Sequence, residues 1–412
     1  MSSIKTRDSD TETTVDSEFL STSSDEQSDQ DDNLELKGMV LKNYNIIMEL
    51  GRGGYSIVWL AYNICDDKFY ALKVQNPSDY ESGLEEIKFV NKLPKEPNVF
   101  NNLVEYFVET QYNKNQHIRY LCSVWELHGA SLDDVIRKSN YDNGLPIDMV
   151  KSIFSQLSMA VYILHKKFKV YHGDIKPDNI LIKGLNKRLE YIIAKYKEQN
   201  FNQIYHDTRK KLEEYKKKEL TKEQKKKVRK EIHKQITDKI LLDSHIEEIP
   251  KELLSYDNLK ISLADFGTHC TEDDYHNSQF GTRYYMAPEI ILGGECSYPV
   301  DIWAMGCTLY EMLGSKVLFN PCKDSKHSRD FNHLQLIGDT CGGKFPDKFI
   351  KKCKKFKEFF SSNYQLRDYQ YENRLERKLT EINLQSNDMK ELLTNLLVID
   401  PSKRLSVNNL VY

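Results

Sequence analysis

The chain has 412 residues, 39% of them apolar, with 59 Lys and Arg against 62 Asp and Glu for a net charge of −3. The apolar side chains can build a large core, and the near-neutral balance gives the whole molecule no bias toward nucleic acid or a membrane. Eight scattered cysteines without a C-x-x-C pair, a polar start and no apolar run near about 18 residues argue against zinc, a secretory leader or a membrane span, and fit a reduced cytoplasmic or nuclear protein.

Length alone would suit about two or three domains. Residues 1–36 hold 11 acidic and 2 basic side chains with few large apolar ones, too little to offset ordering entropy, so they read as a disordered tail. Ser21, Ser23, Ser24 and Ser28 lie among acids and could accept phosphate, or the tail could simply solubilise. Residues 44–123 read as strands with one helix near 80–92. The first string, LGRGGYSIVWLA at 50–61, opens with glycines that let backbone approach a ligand closely. Next comes YALKV at 70–74, an apolar strand carrying Lys73, whose cation needs an anionic partner. The following LEEIKFV looks helical and Glu86 is the chosen partner; Glu85, about 100° round the helix, is the alternative.

Helices are expected around 131–138 and 147–167, followed by VYHGDIKPDNIL. Residues 187–240 then carry 18 basic and 9 acidic side chains within an insert spanning about 184–258. The pairs Glu213/Lys217, Glu214/Lys218 and Glu223/Lys227, with an apolar stripe at Val228, Ile232, Ile236 and Ile240, predict one long amphipathic helix over about 207–242, preceded by a shorter one. Three readings of the insert compete: a solvated helical excursion packed on the carboxy-terminal part, a docking or localisation element for an acidic partner or RNA, and a calmodulin-type target. The opposite charges of tail and insert also invite association within one molecule, subject to screening. Beyond the insert, LKISLADFG, GTRYYMAPE, DIWAMGCTLYEML and DPSKRLS occupy a mostly helical stretch, 259–412.

The strings LGRGGYSIVWLA, YALKV, HGDIKPDN and ADFG, in that order, resemble the protein-kinase signature set. The resemblance covers about residues 44–412 apart from the insert. It implies an α+β bilobal fold, with a β-rich N-lobe (44–126) and a helical C-lobe (127–412). It implies transfer of the γ-phosphate of ATP to protein serine or threonine with magnesium. Leu50, Gly51, Gly53, Gly54 and Ser56 would cover the nucleotide, with Ser56 where the pattern has a third glycine. Val58, Ala71 and Leu181 would sandwich adenine. Glu126 and His128 would lie in the hinge, with Trp125 as gatekeeper. Lys73 would hold the α- and β-phosphates. Asp174 would orient the substrate hydroxyl, Lys176 would neutralise the γ-phosphate, and Asn179 and Asp265 would bind Mg²⁺. Thr282 is expected to bond towards Asp174, Asp301 to hold the catalytic-loop backbone, and Arg404 to pair with Glu289.

Within the family, the chain is most similar to the SR-protein kinases, which phosphorylate Arg/Ser-rich splicing factors. Gly51–Leu60 follows their glycine loop with Tyr55 for Phe, Gly173 replaces the usual arginine after the catalytic histidine, and a long spacer precedes the DFG string. IRKSNYDNGLP at 136–146 and the segments within 333–368 also resemble theirs, whereas Met286 stands where they carry arginine. Gly173 removes the grip on a phosphorylated activation loop, so activity is expected without phosphorylation of Thr271, Tyr275 or Ser278. The other classes to weigh are a pseudokinase scaffold and an RNA- or partner-binding protein acting through the insert. A monomer with a protein substrate is expected.

Overall fold

The computed structural model describes residues 36–113, 116–138, 141–243, 259–271, 279–367, 369 and 374–410. The acidic tail up to residue 35, the insert's last part from 244, and Tyr275 and Ser278 lie outside them. The amino-terminal half is one antiparallel sheet. Its strands are β1 (Val40–Leu41), β2 (Tyr44–Arg52), β3 (Ser56–Asn63), β4 (Lys68–Gln75), β5 (Leu103–Asn113) and β6 (Gln116–Trp125), in the order β1-β2-β3-β4-β6-β5. β5 alternates part-buried and exposed residues along 103–110, whereas Tyr44–Ile47 of β2 and Trp59–Ala61 of β3 are buried on both faces of the sheet. The turn from β2 to β3 is the glycine-rich string, closed by the Gly53 N–H donating to the Ser56 carbonyl at 2.9 Å. Helix α1 (Tyr80–Val90) packs against β6 and turns Glu86, Ile87, Phe89 and Val90 inward.

The second half is helical. After β7 (Ala130–Ser131) come α2 (Leu132–Lys138) and α3 (Ile147–Ile163), the latter prolonged by a π-type turn to Phe168. The stretch Ile147–Phe168 is long and apolar enough to cross a bilayer by length and composition, but it is mostly buried inside the protein. Its buried side chains, Met149, Val150, Ile153 and Leu157 among them, line the core of this half. Two short strands, β8 (Val170–Tyr171) and β9 (Ile180–Ile182), flank the HGDIKPDN string. Past the insert, β10 (Ile261–Leu263) pairs with β9, and β11 (Cys270–Thr271) pairs with β8. The chain closes with α7 (Pro288–Leu292), α8 (Pro299–Gly314), α9 (Arg329–Thr340), α10 (Asp347–Ile350), α11 (Phe356–Phe359), α12 (Leu375–Glu381) and α13 (Asn387–Leu396), a numbering that reserves α4–α6 for the insert. Every residue of α8 after Pro299 is buried, so this helix is the axis on which the half is packed. The halves are tied by backbone: Asn101 N–H donates to the Leu263 carbonyl and Leu263 N–H to that of Val99.

The insert departs from expectation twice. Its described residues form three helices: α4 (Lys187–Lys197), α5 (Phe201–Lys216) and α6 (Lys222–Asp243). The single helix expected over 207–242 is broken at Lys217, which is left-handed at φ 49°. Thr221 and Gln224 exchange bonds in a capping box that starts α6. The pairs Glu213/Lys217 and Glu214/Lys218 therefore straddle the end of α5. Glu213 instead accepts from Arg209 and from the Leu220 N–H, both at 3.0 Å. Through its described helices the insert also packs chiefly on the amino-terminal sheet rather than on the carboxy-terminal half. Its apolar side chains, Leu189, Ile192, Tyr196 and Ile240, join Ile47 and Leu60 on the outer face of the amino-terminal sheet. The Tyr196 ring sits 5.3 Å from Tyr62 and 5.7 Å from Phe69, which face each other across β3 and β4. The Tyr196 hydroxyl bonds Asn45 and His233. The stripe on α6 was legible, but an amphipathic stripe carries no label for the surface that covers it.

This packing carries a pH dependence. Burial, with Arg229 nearby, pulls the His233 pKa down to about 3. An undocked His233 would titrate near its ordinary value of about 6.5. Because the docked pKa is the lower one, its contribution is fully present above about pH 6.5 and is lost as pH falls toward 3. Exchange of α4 and α6 amides, corrected for intrinsic rate, should rise between about pH 7 and pH 5 while α8 stays protected. His233→Phe should flatten that dependence.

Candidate active site

The cleft between the halves has a volume of about 910 Å³. Its roof is the glycine-rich turn. Leu50, Gly51, Gly53, Ser56 and Val58 line it, while Gly54 does not and uses its carbonyl to accept from the Asn76 amide at 2.9 Å. The antiparallel register sets Val58 opposite Lys73 and Ala71 opposite Trp125, so these side chains share one region of sheet. Leu181, on β9, comes up from below. At the back, Trp125 is buried and donates its indole N–H to the Ser123 hydroxyl at 2.9 Å. In the connecting segment after β6, the Glu126 N–H donates to the Asn102 carbonyl. Among the described residues no internal hydrogen bond takes the Glu126 carbonyl or the His128 N–H, which leaves a donor and an acceptor at the cleft edge. Burial lowers the His128 side-chain pKa to about 4, and its Nε2 faces Asn101 Oδ1 at 3.1 Å.

Lys73 Nζ lies 2.8 Å from Glu86 Oε2 and 3.0 Å from Asp265 Oδ1. Burial opposes its charge, but these two carboxylates outweigh it and raise its pKa. Lys73 in turn holds Asp265 below the ordinary carboxylate range. The other oxygen of Glu86 accepts the Phe266 N–H at 3.1 Å, so α1 and the DFG string are bridged through one side chain. Glu85 is exposed and makes no such bond among the described residues. Asp265 itself is left-handed at φ 63°, which turns its carboxylate to the lysine while Phe266 is buried.

On the floor, Asp174 is held from three sides. Lys176 Nζ donates to its Oδ2 at 2.8 Å and to Thr282 Oγ1 at 2.6 Å, and the Thr282 N–H donates to its Oδ1 at 2.8 Å. Asn179 donates its amide to the Asp174 carbonyl at 2.8 Å. That commits Asn179 Nδ2 and leaves its Oδ1 as an acceptor toward the cleft, where Asp265 also presents oxygen. An oxygen-only set of this kind suits magnesium. Beneath the loop, Asp301 accepts the N–H groups of His172 and Gly173 at 2.8 and 2.9 Å and faces His165 Nε2 at 2.9 Å. Burial would raise its pKa, yet these bonds and the histidines lower it. Gly173 has φ +82°, and a Cβ there would lie 2.8 Å from the Thr268 carbonyl, so the loop has no room for a side chain at this point.

Residues 44–195 and 250–412 match the family model of the protein kinase domain. The chain belongs to the protein kinase family. A protein of Acanthamoeba polyphaga mimivirus that carries a serine/threonine-kinase name is 26% identical, across 91% of this chain and 87% of its own. The serine/threonine-protein kinase SRPK of Physarum polycephalum is 27% identical, across 79% of this chain and 72% of its own. A crystal structure of a kinase domain superposes with TM-score 0.61 at 23% identity, covering 91% of this chain and 95% of that one, which speaks to the fold alone. The kinase is of the serine/threonine kind and SR-protein-kinase-like.

Sequence reasoning missed three parts of the kinase site. His165 under Asp301 and Asn186, which donates to the Gly129 carbonyl, are ordinary polar residues in the strings that hold them. Asp133 and Asp178 come together at the cleft mouth, where burial and then Asp178 raise the Asp133 pKa. Only the closeness of α2 to the catalytic loop shows that pair. Farther off, Arg404 and Glu289 make a two-pronged ion pair at 2.7 and 3.0 Å with side chains 0% and 1% exposed. Arg404→Ala strands the Glu289 charge in the core, so it should destabilise by about 3–5 kcal/mol, read as a fall in denaturation midpoint. The double variant Arg404→Met/Glu289→Leu should recover most of that loss.

Proposed function

We propose that this kinase transfers the γ-phosphate of ATP to serine or threonine hydroxyls, with Arg/Ser-rich proteins as its substrates, as an intracellular monomer. The observation that carries the reading is the facing of two networks across one cleft: Lys73 with Glu86 and Asp265 above, Asp174 with Lys176, Thr282 and Asn179 below.

Lys73 would hold the α- and β-phosphates, its charge secured by Glu86. The glycine turn would lie over the triphosphate, and the free Glu126 carbonyl and His128 N–H would pair with the adenine edge between Val58, Ala71 and Leu181. Magnesium, held by Asn179 Oδ1 and Asp265, would offset negative charge on the phosphates. Asp174 would accept the hydroxyl proton as the substrate oxygen bonds to phosphorus and the bond to the β-phosphate oxygen breaks, releasing ADP. Lys176, already within reach of both Asp174 and Thr282, would move onto the transferred phosphoryl group. Support for a basic peptide comes from Asp133 and Asp178, whose mutual repulsion at the mouth a substrate cation would relieve. Binding of an acidic partner or RNA by the insert concerns a different surface and would be an added activity.

Transfer from ATP and Mg²⁺ to an Arg/Ser-repeat peptide and an acidic peptide tests the reading. The Arg/Ser peptide is expected to be preferred, and Asp174→Asn should cut transfer about 10²–10⁴-fold without loss of nucleotide binding. Nucleotide binding without transfer to either peptide would make the chain a scaffold. The steric closure at Gly173 further supports activity without loop phosphorylation. Thr271→Val/Tyr275→Phe/Ser278→Ala should keep its rate within about twofold, whereas an inactive triple variant would reverse that conclusion.

A further inference from the structure

The insert uses its apolar side to cover the sheet, yet its far end has no such duty. Between Arg209 and Lys230, where α5 turns into α6, the chain carries twelve basic and four acidic side chains. Two of those acids are already occupied: Glu213 by Arg209 and the Leu220 N–H, Glu214 by Lys210 at 4.0 Å. Lys216, Lys217, Lys218, Lys222 and Lys227 are exposed and make no ion pair among the described residues. In their midst Tyr215 is 85% exposed, more than any other large hydrophobic side chain described. The neighbouring Tyr205 shows the alternative, a ring covered by the Arg229 guanidinium at 5.0 Å.

We propose that this turn is a binding surface for single-stranded polynucleotide, with the lysines on phosphates and Tyr215 stacked on a base. The lysines alone would suit any polyanion. The ring decides between them. An acidic peptide offers carboxylates to the lysines and nothing to an isolated aromatic face, whereas a polynucleotide offers phosphate and base together, and stacking tolerates any base. The surface lies on the insert and shares no residue with the cleft, so binding is independent of phosphoryl transfer.

The test uses the full chain and anisotropy of labelled oligouridine and oligothymidine of about 20 nucleotides, with polyglutamate as the acidic-protein arm, over a series of salt concentrations. Both oligonucleotides are expected to bind with affinity that falls steeply with salt, and Asp174→Asn should bind as the native chain does. Tyr215→Ala should weaken binding about 5- to 150-fold with the salt slope intact. Lys217→Gln/Lys218→Gln/Lys222→Gln/Lys227→Gln should reduce the slope by about 3. Neither variant should alter peptide phosphorylation, which shows that each folds. A preference for RNA or for DNA, or none, supports the proposal and names the source of the strand. Polyglutamate binding as tightly as oligouridine, or indifference to Tyr215→Ala, overturns it in favour of an acidic-protein surface. Absence of salt-dependent oligonucleotide binding overturns it outright.

Discussion

The catalytic loop depends on one buried carboxylate. Asp301 is 1% exposed and accepts two consecutive backbone N–H groups, from His172 and Gly173, while His165 meets it from the side. A charge so far from water persists only when its acceptor sites are filled, and here the loop's own backbone fills them. The consequence is geometric. With those two amides fixed to α8, whose residues after Pro299 are all buried, the next residue Asp174 is set rather than free to sample. The Asp174 carboxylate is thus built on the core and not on a surface loop.

The upper network is of another kind. Lys73, Glu86 and Asp265 come from a strand, a helix and a loop that are far apart in sequence. The two carboxylates keep the lysine charged against its burial, and the lysine holds Asp265 below the ordinary carboxylate range. The Glu86 bond to the Phe266 amide extends the same constraint to the DFG backbone. The position of α1 and that of the DFG string are therefore one variable. At Gly173 the loop runs so close to Thr268 that a Cβ would lie 2.8 Å from its carbonyl, and the Thr268 hydroxyl donates to the His172 carbonyl at 3.0 Å.

The insert adds a third layer to the amino-terminal half. Its core includes Leu50, at the start of the glycine turn, and Leu127, beside the hinge strand. Gly129 and Gly184 join backbone to backbone where the insert leaves the cleft. Motion of the sheet relative to the hinge thus has to carry the insert with it. The basic end of the hairpin projects from this platform, and so its lysines and Tyr215 remain available while the rest is packed.

The catalytic strings were legible from sequence because their chemistry demands particular residue types at short spacing: an Asp, a Lys and an Asn within six residues, or Asp-Phe-Gly after an apolar strand. So were the acid–base asymmetry of the chain and the amphipathic stripe on α6. The choice of Glu86 over Glu85 was a matter of helical phase, which spacing can suggest but only the packing of α1 settles. The break at Lys217 was signalled by Thr221 and Gln224, though the charge pairs over it pointed to a continuous helix. The face on which the insert docks, the meeting of Asp133 with Asp178 and the placing of His165 under Asp301 were decided by tertiary structure alone. Sequence specifies which side chains must leave water, and only the folded chain specifies what they meet there.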